Sequence, residues 1–257
     1  MELNNIVFPV LLLIFSYFLN KYILNIFYKS KYKLLADSDY NKPQGFHERT
    51  TYRLGGISIF LSLSITFLYL AISKNIYFPE YTSFCSFFFL LGLLDDLKIN
   101  ILPKFRLGAM VILLLVLIIS NEFYIEKTGL EILNYLLKID IFSLIFITLC
   151  FLFIVNGSNL IDGFNGLLAI HAIIILSVLL FINFINANNE IVYILFYIIL
   201  LILIFLSFNF PKAQMFLGDS GAYLFGILIA VSVIKTSIIN PLISPFFFCV
   251  LFTIDYA

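Results

Sequence analysis

A chain of 257 residues that is 62% apolar and only 12% charged cannot be a soluble domain, because it lacks the polar residues to cover its own surface. Its apolar runs are long and lack the alternation of a barrel strand, so the fold class expected is all-α, a polytopic transmembrane helical bundle. The formal net charge of zero carries no information about partners.

Nine runs are long enough to be spans: 5–27, 54–73, 78–94, 105–121, 140–155, 164–185, 190–208, 220–238 and 242–257. The first contains Lys21, has no basic residue before it and no small-residue cleavage site after it, which reads as a retained span. No repeat or linker divides the chain, and a single domain over 1–257 is expected. The connections after the odd-numbered spans carry ten Lys and Arg, from Lys29 to Lys212, against four on the other side. That excess predicts a cytoplasmic location for the first set and an amino terminus outside. The outer segment 122–139 has the apolar spacing of a helix lying on the surface.

All the polar islands fall on the side predicted to be cytoplasmic. Asp95-Asp96 ends the third span, where the helix dipole disfavours anions and the two carboxylates repel each other; Lys98 or a divalent cation would relieve both. A solvated charged helix end is the plain alternative. Asn156-Gly-Ser-Asn159-Leu-Ile-Asp162-Gly-Phe-Asn165-Gly joins the fifth and sixth spans. Its glycines suit close approach to a ligand, and the helix after it offers N–H groups to an anion; an Asx-capped turn is the alternative. Phe216-Leu-Gly-Asp219-Ser-Gly opens the eighth span in the same way, with Asp219 or Ser220 as a simple cap the competing reading. Four Asp residues from three loops, Asp95, Asp96, Asp162 and Asp219, suit a hard cation such as Mg²⁺. The first polar loop, Lys42 to Gly56 with His47, Arg49 and Arg53, reads either as a positive-inside loop or as a basic flap over phosphates. Gly-Asp-Ser-Gly also surrounds serine protease nucleophiles, but His47 and His171 are the only histidines, and His171 reads as a packing residue inside a span. Cys85, Cys150 and Cys249 are isolated in apolar runs and read as buried small residues.

Taken in order, Asp95-Asp96-x-Lys98, Pro103-Lys104-x-Arg106-Leu, Asn156-x-x-Asn159-x-x-Asp162-Gly-x-Asn165-Gly and Phe216-Leu-Gly-Asp219-Ser-Gly resemble the motifs of the polyprenyl-phosphate N-acetylhexosamine-1-phosphate transferases. This is the superfamily that includes the phospho-N-acetylmuramoyl-pentapeptide transferase. The His47…Arg53-Leu-Gly-Gly loop is more similar to the branch that starts O-antigen, common antigen and teichoic acid chains. The resemblance implies transfer of a sugar 1-phosphate from a UDP-N-acetylhexosamine to undecaprenyl phosphate in the bacterial inner membrane. It also implies a Mg²⁺ cofactor, which Mn²⁺ could replace, and no nucleic-acid partner, and leaves a homodimer open. By similarity Asp219 is the metal ligand, and Asp95 is the base or the partner of the lipid phosphate, with Asp96 beside it. Asn156 and Asp162 line the nucleotide-sugar site, and Asn165, Asn209 and Phe216 hold the uridine. His47, Arg53, Lys98, Lys104 and Asn159 complete the expected substrate contacts. Tyr52 stands where Pro is usual and Asn165 where Asp is common, and the family's His-rich loop and later helices have no counterpart before Ala257, so a shortened chain is expected. A shortened, non-catalytic member of the family, a transporter or flippase, and a membrane aspartyl protease are the rival readings. The last two would place their acids inside the spans.

Overall fold

The structure is a computed structural model that describes residues 4–30, 35–37, 51–99, 102–125 and 128–240. Eight long helices form a bundle: α1 (Asn4–Ser30), α2 (Gly55–Lys74), α3 (Pro79–Asp96), α4 (Pro103–Ser120), α6 (Asp140–Ile161), α7 (Leu167–Ile185), α8 (Asn189–Asn209) and α9 (Gly218–Ile239). In lipid the backbone must satisfy its own hydrogen bonds, and an uninterrupted apolar sequence does this only as helix. Pro79 and Pro103 open α3 and α4 at positions where a missing N–H costs nothing. Seven of these helices are long and apolar enough to cross a membrane. The eighth, α3, carries Glu80, Asp95 and Asp96 within 18 residues. The protein is a multi-pass membrane bundle, as the composition requires. The ninth expected span, 242–257, lies outside the described residues.

One helix organises the others. The central stretch of α9 is 83% buried, against 22% for α1 and α4. α2, α3, α6 and α7 all pack against it. Its sequence is apolar on every side and carries small residues at Gly221, Ala222, Gly226 and Ala230, which let neighbouring backbones approach closely. A β-carbon on Gly226 would stand 2.8 Å from the Val155 Cα of α6, and one on Gly92 of α3 would stand 2.5 Å from the Asp219 carbonyl oxygen. By contrast, α1 and α4 turn large apolar side chains such as Phe18, Ile112 and Val116 outward, as lipid-facing helices do.

Three features depart from the sequence expectation. α6 runs to Ile161, six residues past the expected end of its span, so Asn156 and Asn159 belong to its last two turns and not to a loop. Asn156 and Ser158 return their side chains to the Leu152 and Ile154 carbonyls, which lets polar residues continue a helix. In segment 122–139, expected to be a helix lying on the surface, the described residues form only the short α5 (Glu131–Leu136), which buries no residue. A small sheet was not expected at all: β1 (Ala36–Asp37) pairs antiparallel with β2 (Thr51–Arg53), which pairs in parallel with β3 (Met215–Phe216). Its register sets Arg53 opposite Phe216, and so brings the first polar loop onto the entry to α9.

Candidate active site

Four chain segments meet at one end of the bundle: the entry to α2, the end of α3 with the start of α4, the end of α6, and the segment from Asn209 into α9. Adjacent residues on a helix point about 100° apart, and Asp95 and Asp96 accordingly reach different partners. Asp95 Oδ2 accepts a hydrogen bond from Arg106 Nη1 at 2.8 Å and a longer one, 3.4 Å, from the Tyr223 hydroxyl. Asp96 turns the other way and is 1% exposed. Its Oδ1 accepts the Asp219 N–H and its Oδ2 the Ser220 N–H, each at 2.9 Å, with Arg53 Nη1 3.5 Å from Oδ1.

This arrangement corrects two expectations. Two N–H groups at the amino end of α9, those of Asp219 and Ser220, already donate to Asp96 and are not available to a phosphate. Nor do Asp219 or Ser220 cap the helix with their own side chains. Among the described residues no three His, Cys, Asp or Glu side chains gather into a ready-made metal site. The four-carboxylate cluster is therefore divided, with Asp96 turned to backbone N–H groups and Asp95 to a guanidinium.

Asp162 follows the last residue of α6 and is partly open to solvent. Burial, and then the negative charges of Asp219 and Asp96, raise its carboxyl well above the usual carboxylate range, while Arg53 opposes them. Asp162, Asp219 and Asp96 therefore lie close enough to feel one another.

Asn209, at the end of α8, holds both ends of its amide on backbone. Its Oδ1 accepts the Gly166 N–H and its Nδ2 donates to the Met215 carbonyl. It is a brace between the loop before α7 and β3, which fits a positioning role better than the expected hold on uridine. Asn165 is exposed and donates to the Pro211 carbonyl at 3.4 Å. Asn156 and Asn159 are half-buried, and Phe216 is half-buried in β3. Lys98 is exposed and reaches the Ala36 carbonyl at 3.4 Å instead of relieving the acids, and Lys104 is exposed on the first turn of α4. His47 lies outside the described residues.

Two site residues had no role assigned from the sequence. Arg106 stands two positions after Lys104 in a motif that carried the resemblance, and its partner Asp95 lies on the preceding helix, α3. Tyr223 lies four residues after Asp219, which puts both on one face of α9, and that spacing was the available signal.

The family model described as Glycosyl transferase family 4 matches residues 79–237, from the start of α3 to near the end of α9. The chain belongs to glycosyl transferase family 4. This makes it a transferase, and every site residue described above except Arg53 falls within the matched region. The chain is 33% identical over 247 residues to a phospho-N-acetylmuramoyl-pentapeptide-transferase of Dictyoglomus turgidum, covering 91% of this chain and 72% of that protein. It is 30% identical to a probable undecaprenyl-phosphate N-acetylglucosaminyl 1-phosphate transferase of Bacillus subtilis, over 77% of this chain and 57% of that protein. An undecaprenyl-phosphate α-N-acetylglucosaminyl 1-phosphate transferase of Thermotoga maritima is 29% identical over 83% of this chain and 60% of its own length. The chain thus spans less than two thirds of the latter two relatives, and both branches of the superfamily are represented among its relatives.

Proposed function

We propose that this protein transfers an N-acetylhexosamine 1-phosphate from a UDP-sugar to undecaprenyl phosphate on the cytoplasmic face of a bacterial inner membrane, initiating a lipid-linked cell-surface polysaccharide. An oxygen of the lipid phosphate attacks the β-phosphorus of the UDP-sugar. The bond from that phosphorus to the bridging oxygen breaks, UMP leaves with the bonding electrons, and a lipid-linked sugar diphosphate remains. Catalysis of such a displacement consists largely of neutralising charge and fixing geometry.

One observation carries the reading: Arg53, Arg106, Asp95, Asp162 and Asp219 converge at one end of a membrane-embedded bundle, where a lipid-borne phosphate would be presented. Asp95 takes a proton from the lipid phosphate or stands as its ground-state partner, and Arg106 and Tyr223 hold it in place. Asp162, with Asn156 and Asn159 on the preceding turns, lines the nucleotide-sugar side. The oxygen donors available suit Mg²⁺, which needs only one or two carboxylates when waters and substrate phosphates complete its shell. Asp219 would hold the ion, which when bound would offset the charge of the diphosphate. Acids gathered at helix ends do not suit a transporter, whose ionisable groups line a midplane path.

The test supplies the 257-residue chain in membranes with undecaprenyl phosphate, Mg²⁺ and a panel of UDP-N-acetylhexosamines labelled in the β-phosphate. Label should enter the lipid as UMP appears, and only when both substrates are present. Uptake of UDP-sugar without chemical change would refute the proposal.

A further inference from the structure

Asp95 and Asp96 carry the same chemical group, one residue apart, yet their surroundings differ in kind. Asp96 is sealed: 1% exposed, with one backbone N–H on each carboxylate oxygen and Arg53 beside Oδ1. The remaining approach is closed by Gly218, where even a β-carbon would stand 2.7 Å from Oδ2. Gly218 has φ of +77°, a left-handed conformation that leads β3 directly into α9 and that a side chain would strain. The two N–H groups it holds belong to Asp219 and Ser220, among the first residues of α9, where the unpaired N–H groups and the helix dipole both favour an anion.

From this geometry we infer that Asp96 is a positioning residue: its carboxylate is the built-in anion at the amino end of α9 and fixes the backbone of Asp219, instead of accepting a proton or binding a metal. Gly92, one turn before Asp96, completes the seat by letting the α3 backbone touch the Asp219 carbonyl. α3 therefore meets the backbone of Asp219 at both its N–H and its carbonyl. The tandem acids divide the work. Asp95 faces the reacting groups, and Asp96 sets where the neighbouring acid stands.

The part of this inference that concerns metal affinity rests on the proposed Mg²⁺ site at Asp219; the part that concerns the helix cap does not. The test keeps the two apart by using the full chain in detergent without substrates. Hydrogen exchange is followed over residues 215–225, and Mn²⁺ binding is titrated by electron paramagnetic resonance, in the wild type, Asp96→Asn, Asp96→Glu and Asp219→Asn. Asp96→Asn keeps the shape but sets an amide N–H against a backbone N–H. It should speed exchange in this segment alone and weaken Mn²⁺ by about 10–100-fold, the effect usual for a residue that orients a metal ligand. Asp96→Glu keeps the anion on a longer arm and should retain part of both properties. It also serves as the folded variant if Asp96→Asn does not accumulate. Asp219→Asn should abolish Mn²⁺ binding and leave the Asp96 clasp protected.

Unchanged exchange in Asp96→Asn would overturn the clasp. Faster exchange with unchanged Mn²⁺ affinity would make Asp96 merely structural, and loss of Mn²⁺ with the segment still protected would make it a ligand. If the wild type binds no Mn²⁺, the metal assignment at Asp219 fails, and the exchange experiment alone decides the clasp.

Discussion

α3 and α9 run antiparallel along their whole length and are tied at both ends, but the two ties do different things. At the far end Glu80 pairs with Lys235, and the Tyr81 hydroxyl meets the Ser232 hydroxyl at 2.9 Å. Nearby, Asn183 of α7 donates to Thr236 at 2.8 Å. Glu80, Tyr81, Ser232, Asn183 and Thr236 are all buried, and the charges there are matched one against one. At the other end four acids face Arg53 and Arg106, and Asp95, Asp162 and Asp219 remain partly exposed. The far-end group is buried and paired, and serves cohesion. At the site end three acids stay where a ligand, a cation or a proton can reach them.

That contrast can be broken from either end. Asp219→Asn should have the largest effect on chemistry. Transfer of labelled sugar phosphate should fall by about 10²–10³-fold or more, with expression and thermal unfolding close to those of the wild type. Retained activity would remove Asp219 from the site. Lys235→Met acts at the opposite end and should do the reverse. Leaving Glu80 buried without its partner should destabilise the fold by about 3 kcal/mol in thermal unfolding, while transfer per folded molecule stays unchanged. The double variant Glu80→Gln with Lys235→Met should recover most of that loss. Gly92→Ala tests whether the site end depends on tight packing as well as charge. Its new methyl meets backbone that cannot move aside, so a loss of about 1–3 kcal/mol and impaired transfer are expected together.

The smallest effect concerns pH. Because Asp162 is raised well above its ordinary value, the folded state binds its proton more tightly than the unfolded chain does. Stability from this group is therefore complete below the unfolded carboxylate value, about pH 4, and is lost as pH rises through the folded one. Asp162→Asn, with chelator present, should unfold at a higher temperature than the wild type at neutral pH. The difference should vanish as pH falls below about 4. An advantage for the variant that grows in acid would contradict the sign.

Much of this could be read from the residues. The ends of α2, α4, α7 and α8 fall within three residues of the apolar runs, because hydropathy alone decides where a backbone enters lipid. The gathering of the polar islands at one end followed from simple alternation of spans. What misled was Asn156-Gly-Ser-Asn159, whose composition says loop. There the small residues serve the crossing of α6 over Gly226 of α9, a reason that exists only once the partner helix is known. The bracing by Asn209 is hidden for the same kind of reason, since it depends on Gly166 from another segment of the chain.

By itself, then, the sequence determined that this is a membrane bundle with acids, arginines and carboxamides collected at one end, and its motifs carried the family. Tertiary structure decided which of the identical groups does what. Asp95 and Asp96 are indistinguishable as letters. A turn of about 100° about the axis of α3 sends one toward Arg106 and Tyr223 and buries the other beneath the first turn of α9, and only the packing of those helices fixes that choice.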